Sequence, residues 1–587
     1  MRLRGWRLAT GAAVLAWAGV MTTASVSTQS GPIALDQGWT AAQSTWFYTT
    51  SQGSQLLPYS WYLALEQPGG GAPFNADHLS RYGYLENRAS NPDNLPLGFV
   101  KDVEADQLGL TCAACHTNQI TYLNKTWRID GGPTDADTWA FLRDVGTSLT
   151  ETAASQSGDR YKRFAAAVTA QTRKPEGTLY ADLKKFSEYF AKFIESSRSI
   201  AANGTPVDWG HSRIDAFGMI FNRATGIDLD NWSNTTSPNA PVSVPFLWDT
   251  HWHDVVQWNG SAPNMLAFHR LGRNVGEVLG VFASTNITKK PVQLFFENSV
   301  RKTNLLAIEH QLASLRSPRW PAELGAIDQN LAKQGQGLYD VYCEGCHKLT
   351  PRDQPIGRPK VVMTPLASIG TDPTMATNAK NRMAKSGILE GVRIPLLSPE
   401  IPADLLSVEL TLKVAVGSIL APPNRRSLSD QAAGVRELFE QLKTDQDAEE
   451  KSDTRNEVDK LKDLRAGLDQ LAAKHRDNTL KLEYKARPLD GIWATAPYLH
   501  NGSVPNLSEL LKPENQRPSK FYVGTRYYDP KNVGFTTLQT PGATEFDTSK
   551  PGNRNTGHGA YRPRGGGEPH VFTDAERAAL VEYMKTL

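Results

Sequence analysis

Cysteine is scarce in this sequence. Only 4 of the 587 residues are cysteine, and they stand in two close pairs, at 112 and 115 and at 343 and 346. Small exported domains that lack a large core rely on several disulfides, but this chain has no cysteine left for one once the two pairs are used. Its stability must come from buried apolar cores, for which a hydrophobic content of 40% with 14 Trp residues is ample.

A surplus of charge of either sign is also absent. Lys and Arg number 63 against 61 Asp and Glu, which gives a formal net charge of +2 and a pI of about 8.2. Proteins that bind nucleic acid or anionic membranes through their overall charge are strongly basic. The bulk charge therefore indicates no nucleic-acid or membrane-surface partner.

Long apolar runs are missing after the first thirty residues. Within 1–30, Arg2, Arg4 and Arg7 precede an apolar, Ala-rich run over 8–26, and small residues follow it. This three-part order predicts a secretory signal peptide over 1–30, although an A-x-A cleavage pattern is missing. The alternative is an uncleaved membrane anchor, since the run approaches spanning length. We expect a periplasmic or secreted protein with no stable membrane span after processing.

Both cysteine pairs stand in one motif, C-x-x-C-H. The stretch GLTCAACHTN covers 109–118, and VYCEGCHKLT covers 341–350. This motif is the attachment signature of c-type haem, in which two thiols bond to the porphyrin vinyl groups and the adjacent His ligates the iron. The sequence predicts two covalently bound haem c groups, held by Cys112, Cys115 and His116 and by Cys343, Cys346 and His347.

Disulfides, a zinc site and coincidence are the alternative interpretations of the two motifs. A zinc site needs four converging ligands and has no need of a His directly after each cysteine pair. His makes up only 12 of the 587 residues, so a His after both pairs is not expected by chance. Haem c is attached outside the cytoplasmic membrane, which agrees with the predicted export.

One motif in each half of the chain predicts an N-terminal c-type haem domain at 31–325 and a C-terminal one at 326–587. Apolar residues over 331–342 recur at near-helical spacing and lead straight into the second cysteine pair, as in cytochrome c domains. The lead into the first pair, 90–110, is rich in Asn, Pro, Asp and Gly, which predicts loops. The expected fold class is mainly α, with two cytochrome c-like haem domains and long irregular loops.

A helical-hairpin insertion is predicted within the C-terminal haem domain, at about 427–480. Val458, Leu461 and Leu464 fall on one helical face, and a mixed-charge break at 443–453 separates this segment from the preceding helix. Helical patterns are also found at about 136–147 and 177–198, whereas 230–264 is rich in Pro, Asn and Trp and has no sustained period.

Several stretches resemble a known family. RPLDGIWATAPYLHNGSVPNLSELL (487–511) and the chain-final segment 552–587 resemble the C-terminal half of the di-haem cytochrome c peroxidase superfamily, and within it the large branch that includes the haem-dependent rubber oxygenases. GLTCAACHTNQI and RIDGGPTDAD (128–137) resemble the first haem segment of the same branch. The resemblance spans most of 90–587, excluding the helical hairpin.

The resemblance implies a set of residues around the second haem. His558, in NTGHGAY, corresponds to the distal iron ligand; the alternatives are a surface His in a Gly-rich loop, or His500 as the ligand. Trp493, or the neighbouring Tyr498, resembles the aromatic residue that relays electrons between the haems, and core packing is the alternative role. Basic residues are candidates for pairing with the haem propionates, namely Lys485 and Arg487 at the second haem and Arg128 at the first.

The distal side of the first haem is the least defined part of the predicted site. The segments 208–226 and 245–264 supply the candidates His211, Phe246 and Trp252, together with His251, His253, Met219, Phe217 and Trp248. A His on the iron closes the site at rest, whereas an aromatic lining leaves it open to dioxygen and an apolar substrate.

Three functions follow from these patterns. The favoured one is a periplasmic di-haem oxidoreductase that takes electrons from a small cytochrome or a cupredoxin and reduces hydrogen peroxide. The alternative is a dioxygen-dependent oxygenase that cleaves the double bonds of polyisoprenoids. The third is a non-catalytic electron-transfer cytochrome. Peroxidases of this superfamily are shorter between their motifs and use Met where His558 stands, which weakens a plain peroxidase assignment.

Overall fold

The computed structural model describes residues 31–87, 93–201, 204–287, 296–350, 352, 360–393, 400–421 and 481–587. The signal peptide predicted over 1–30 and the helical hairpin predicted at about 427–480 lie outside these ranges. The α-helices are Ala41–Thr49, Tyr59–Ala64, Cys112–Cys115, Thr138–Ala153, Asp159–Thr172, Leu179–Ser196, Ala216–Phe221, Ala267–Gly280, Lys302–Leu312, Gln329–Tyr342, Leu366–Ile369, Thr374–Asn381, Ser407–Leu420, Leu507–Leu510 and Asp574–Met584. Short 3₁₀ turns include Thr250–Trp252 and Ile492–Ala494, and Asn222–Ile227 is a π-helical turn.

The sheets are small. Ile33–Ala34 pairs in parallel with Lys125–Asp130, which pairs antiparallel with Thr117–Tyr122. Gln107–Leu110 pairs antiparallel with both Leu57–Pro58 and Phe99–Asp102. The remaining ladders are antiparallel pairs: Arg213–Ile214 with Val242–Ser243, Val255–Val256 with Ala262–Pro263, Thr285–Asn286 with Glu297–Asn298, Val362–Pro365 with Glu483–Ala486, Met383–Lys385 with Asp404–Leu406, Lys520–Val523 with Thr544–Asp547, and Tyr528–Asp529 with Gly534–Phe535.

Helix Gln329–Tyr342 delivers the second cysteine pair and packs on the last helix, Asp574–Met584. It begins at Asp328, whose carboxylate accepts the free backbone N–H groups of the first turn, as an N-cap does. A Cβ at Gly335 would lie 2.0 Å from the Ala579 carbonyl oxygen, so glycine is required for the two helices to lie this close. The crossing of these helices fixes where the thiols emerge.

A central apolar cluster joins the two halves of the chain. Its fully buried members include Phe47 and Trp127 from the first half and Tyr339, Trp493 and Leu580 from the second. Burial of apolar surface is the dominant stabilising term in folding, so the cluster stabilises both halves together. The division at 325 and 326 stays a prediction.

Several sequence-based expectations can be compared with the observed elements. The predicted helices at 331–342, 136–147 and 177–198 are confirmed as Gln329–Tyr342, Thr138–Ala153 and Leu179–Ser196. The loop predicted over 90–110 is wrong in part, because 99–102 and 107–110 form a hairpin whose apolar side chains are buried.

None of the helices in the described ranges has the length and apolar character that crossing a bilayer requires.

Candidate haem sites

The second motif follows directly on helix Gln329–Tyr342. Cys343 is buried and Cys346 is exposed. The Nδ1 of His347 lies 2.7 Å from the Arg487 main-chain oxygen. A carbonyl oxygen only accepts, so Nδ1 carries the proton and Nε2 is left with a free lone pair. Ligating histidines in metalloproteins are oriented by this kind of hydrogen bond.

His558 faces His347 in the folded chain. Their ring centroids are 6.2 Å apart, and the ring planes are inclined by 32°. A bond from His to a metal is about 2 Å long and the centroid lies about 1.2 Å behind the nitrogen, so two histidines on opposite sides of one metal ion hold their centroids about 6.4 Å apart. The observed spacing fits a single haem iron between the two rings.

A cavity of about 910 Å³ surrounds this histidine pair. Its apolar wall can enclose a porphyrin, since cofactor sites are concave and mostly apolar. The lining residues include Tyr342, Leu489, Tyr498, Leu507, Ile369 and Met584, together with Cys343, Cys346, His347 and His558.

Basic side chains line one side of the cavity. Lys485 and Arg487 are 5% and 4% exposed, and within the described residues neither forms an ion pair with a carboxylate. Burial, together with the charge of Arg487, holds the pKa of Lys485 well below its usual value. Nearby, neither ring nitrogen of His253 has a hydrogen-bond partner in the part of the chain described. Buried cations are stable when paired, so this wall fits the anionic propionates of a haem.

The first motif lies on the helical turn Cys112–Cys115, which Thr111 caps through its hydroxyl. The Nδ1 of His116 lies 2.9 Å from the Pro245 oxygen, so its tautomer is fixed in the same way as that of His347. Both cysteines and His116 keep part of their surface accessible although protein surrounds them.

Charged residues from helix Ala267–Gly280 lie beside the first motif. Burial, with the charge of Glu277 adding to it, raises the pKa of Cys112 to about 12 and that of Cys115 to about 11. Burial likewise raises the pKa of the Glu277 carboxyl, and the Gln257 side-chain amide donates to it at 3.1 Å. Glu277 is thus a half-buried carboxyl whose charge acts on both thiols.

Glu309 joins that helix to His251 of the 3₁₀ turn Thr250–Trp252. Its carboxylate accepts from His251 Nδ1 at 2.9 Å and from Asn274 at 2.9 Å, and it forms an ion pair with Arg273. Glu277 lies outside the segments 208–226 and 245–264 that supplied the sequence-based candidates, and no local pattern of the helix singles it out.

The three distal candidates for the first haem lie in different surroundings. His211 lies with Nδ1 2.7 Å from the Asp135 oxygen and Nε2 3.2 Å from the Gly542 oxygen, which occupies both ring nitrogens. Trp252 donates its indole N–H to the Ala313 oxygen. Phe246 lines the cavity around His347 and His558, although Pro245 beside it contacts His116.

The residues assigned by resemblance are placed as follows. Trp493 is fully buried and donates to the Pro318 oxygen at 3.0 Å. Tyr498 and His500 line the cavity around His347 and His558, and His500 packs on Tyr484 at a ring-centroid distance of 4.2 Å. Arg128 donates to the Gln119 side chain at 3.3 Å. The structure therefore brings His558, Tyr498, His500, Lys485 and Arg487 to one cavity, and holds Trp493 in the core behind it.

Comparison with known proteins agrees with a haem protein. Residues 483–522 match the family described as RoxA-like, cytochrome c-like. Cytochrome c-like domains carry covalent haem c and are typically extracellular or periplasmic. The chain is 32% identical to the uncharacterized protein y4iJ of Sinorhizobium fredii over 610 aligned residues, which cover 94% of this chain and 93% of that protein.

A second relative from the same organism, the uncharacterized protein y4iM, is 27% identical over 61% of this chain and 68% of its own length. The match to y4iJ extends over nearly the whole of both proteins, well beyond the cytochrome-like segment. The chain therefore belongs to the family of y4iJ and carries a RoxA-like, cytochrome c-like domain.

Proposed function

We propose that the protein is an exported di-haem c-type cytochrome that reduces hydrogen peroxide at the haem attached to the first motif. The observation that carries the proposal is the 6.2 Å separation of the His347 and His558 rings. Two strong axial ligands make a haem suited to electron transfer. The second haem then supplies electrons, which leaves the chemistry to the first.

The first site supplies the protein groups that peroxide reduction needs. The haem, when bound, supplies the redox chemistry that reduces peroxide. Glu277 takes the proton from one peroxide oxygen and returns it to the other, which leaves as water; acid–base groups of this kind contribute about 10²–10⁴-fold to rate. Gln257 holds the carboxyl by its 3.1 Å hydrogen bond. One peroxide, two electrons and two protons give two waters.

The electrons come from a partner protein, for which a small cytochrome or a cupredoxin fits. Cys346 is exposed, whereas Cys343 is buried. The thiol that would hold one edge of the second haem is therefore near the surface, where a small donor could approach. Two successive one-electron transfers from the donor supply the two electrons that the reduction of each peroxide requires.

Cleavage of polyisoprenoid double bonds with dioxygen is the second candidate. The match of 483–522 to the RoxA-like family favours it, because the same segment resembles that of the haem-dependent rubber oxygenases. In that case the haem of the first motif would supply the dioxygen chemistry, and an apolar substrate would take the place of peroxide beside Glu277.

Stopped-flow mixing of the half-reduced protein with hydrogen peroxide tests the proposal, with haem absorbance as the readout. Rapid oxidation, and turnover with a reduced donor, are expected. Inertness to peroxide together with a stable dioxygen-bound spectrum would favour the oxygenase. No reaction with either oxidant would leave electron transfer without catalysis as the function of the protein. Haem staining of Cys112→Ala and Cys343→Ala, each expected to lose one of two haems, fixes the haem count beforehand.

A further inference from the structure

Arg487 lies between the histidines of the two motifs and contacts the backbone that orients each of them. Its main-chain oxygen accepts from His347 Nδ1 at 2.7 Å. Its guanidinium donates to the Phe246 oxygen at 2.7 Å, and its Cζ lies 3.6 Å from the Phe246 ring centroid. The residue before Phe246 is Pro245, whose oxygen accepts from His116 Nδ1 at 2.9 Å.

These contacts form one continuous connection from His116 to His347. His116 donates to the Pro245 oxygen, and Pro245 is followed in the chain by Phe246, whose oxygen accepts from the Arg487 guanidinium. The Arg487 main-chain oxygen in turn accepts from His347. Arg487 is 4% and Phe246 6% exposed. In a dry interior, each of these hydrogen bonds is electrostatically stronger than it would be in water.

Thr250 secures the middle of this connection. Its hydroxyl donates to the Phe246 oxygen at 3.1 Å and accepts from the Arg487 guanidinium at 3.1 Å. The Phe246 carbonyl is therefore held by two donors, and Arg487 is one of them. The Nε of Arg487 has no hydrogen-bond partner among the described residues, so this side chain can hold Phe246 and still meet a propionate.

We propose that Arg487 is a positioning residue that couples the two haem sites by fixing the hydrogen-bond acceptors of both motif histidines. The inference rests on the proposed di-haem function. Acceptors of ligand histidines set the orientation and basicity of the imidazole, and their loss changes the properties of the metal. A change in the Arg487 side chain therefore reaches the first haem as well as the second.

The alternative is that Arg487 serves only as a charge beside the second haem. Lys485 provides the matched control, because it is a buried cation in the same cavity and does not contact Phe246 or Pro245; its Nζ donates to the Val255 oxygen at 3.3 Å. A purely electrostatic role predicts the same effects for Arg487→Met and Lys485→Met.

The test is electron paramagnetic resonance and potentiometric titration of full-length holoprotein, with each haem assigned from the single-haem cysteine variants. Arg487→Met is expected to shift the signal and the potential of both haems, and Lys485→Met those of the second haem alone. In Arg487→Lys, the signal and potential of the first haem are expected to return part of the way to the wild-type values. An unchanged first haem in Arg487→Met overturns the inference.

A milder variant covers the case in which Arg487→Met does not fold. Thr250→Val removes one of the two donors to the Phe246 oxygen, and a smaller shift of the first haem alone is expected; no shift at either haem overturns the inference. Failure of the proposed function is distinguishable, because wild-type protein would then carry fewer than two haems or show no reaction with peroxide.

Discussion

Arg517 holds His558 in position: its guanidinium donates to the carbonyl oxygens of His558 at 3.0 Å and of Gly557 at 2.7 Å. His558 has a φ of 55°, in the left-handed region that non-glycine residues rarely adopt. Such a conformation persists only where surrounding contacts determine it. The backbone of the loop is therefore held in place where the imidazole of His558 enters the cavity.

Replacement of His558 by Ala is expected to remove the low-spin signal of the second haem, because the iron loses its second strong ligand. Electron paramagnetic resonance of the oxidised protein measures this. His500→Gln is the control, since His500 lines the same cavity and packs on Tyr484. An unchanged spectrum in His558→Ala, or loss of the signal in His500→Gln, would contradict the assignment.

Glu277→Gln is expected to slow peroxide reduction by about 10²-fold or more, in line with the loss of an acid–base group. The amide has the same shape and keeps the contact with Gln257, so the haem content should stay at the wild-type value. Single-turnover kinetics with peroxide give the rate, and haem staining gives the content. A wild-type rate in the variant would remove Glu277 from the mechanism.

Gly335→Ala is expected to destabilise the fold by about 1–3 kcal/mol, because the new methyl group overlaps the Ala579 carbonyl oxygen 2.0 Å away and forces the two helices apart. Gly337→Ala is the matched control in the same helix. A Cβ there has no neighbour within 4 Å, so the change gains up to about 1 kcal/mol of helix propensity. Denaturant titration of both variants measures the free energy of unfolding; equal midpoints would contradict the close packing.

Asp249→Asn is expected to stabilise the protein increasingly as pH rises. Burial, with the charge of Asp490 adding to it, raises the pKa of Asp249 to about 7. The folded state then holds a proton that the unfolded state has released, so wild-type stability falls as pH rises between about 4 and 7. Asn lacks this titration and tolerates the left-handed φ of 61° found here.

Unfolding midpoints at pH 5 and pH 8 check this prediction. The variant should exceed wild type by a smaller margin at pH 5, where the penalty of the folded, protonated Asp249 is only partly developed, than at pH 8, where it is complete. A difference between variant and wild type that is the same at both pH values would show that Asp249 does not titrate in this range.

Features carried by neighbouring residues were predictable from the sequence. The C-x-x-C-H motifs contain their chemistry in five consecutive positions, and the helix at 329–342 shows its buried side in the spacing of its apolar residues. His558 was assigned by resemblance to a family motif. The structure brings it opposite His347, and its role as an iron ligand stays a prediction.

Features that depend on main-chain atoms or on distant contacts were not predictable. The acceptor for His116 is the carbonyl of Pro245, and any residue type can supply a carbonyl. Glu277 reaches the first motif only because helix Ala267–Gly280 packs beside it, and no local pattern encodes that contact. The strand at 107–110 was missed because the turn-forming residues before it masked a short run of buried apolar ones.

The cavity around His347 and His558 also sets an order of assembly. Its walls come from positions as far apart as Pro133, Tyr484 and Met584, and the last helix closes against the one that carries the cysteines. In an exported chain, Cys343 and Cys346 emerge well before His558 and that last helix. We therefore expect haem to be attached to these thiols while the cavity is still open, with the C-terminal segment completing its fold around the bound porphyrin.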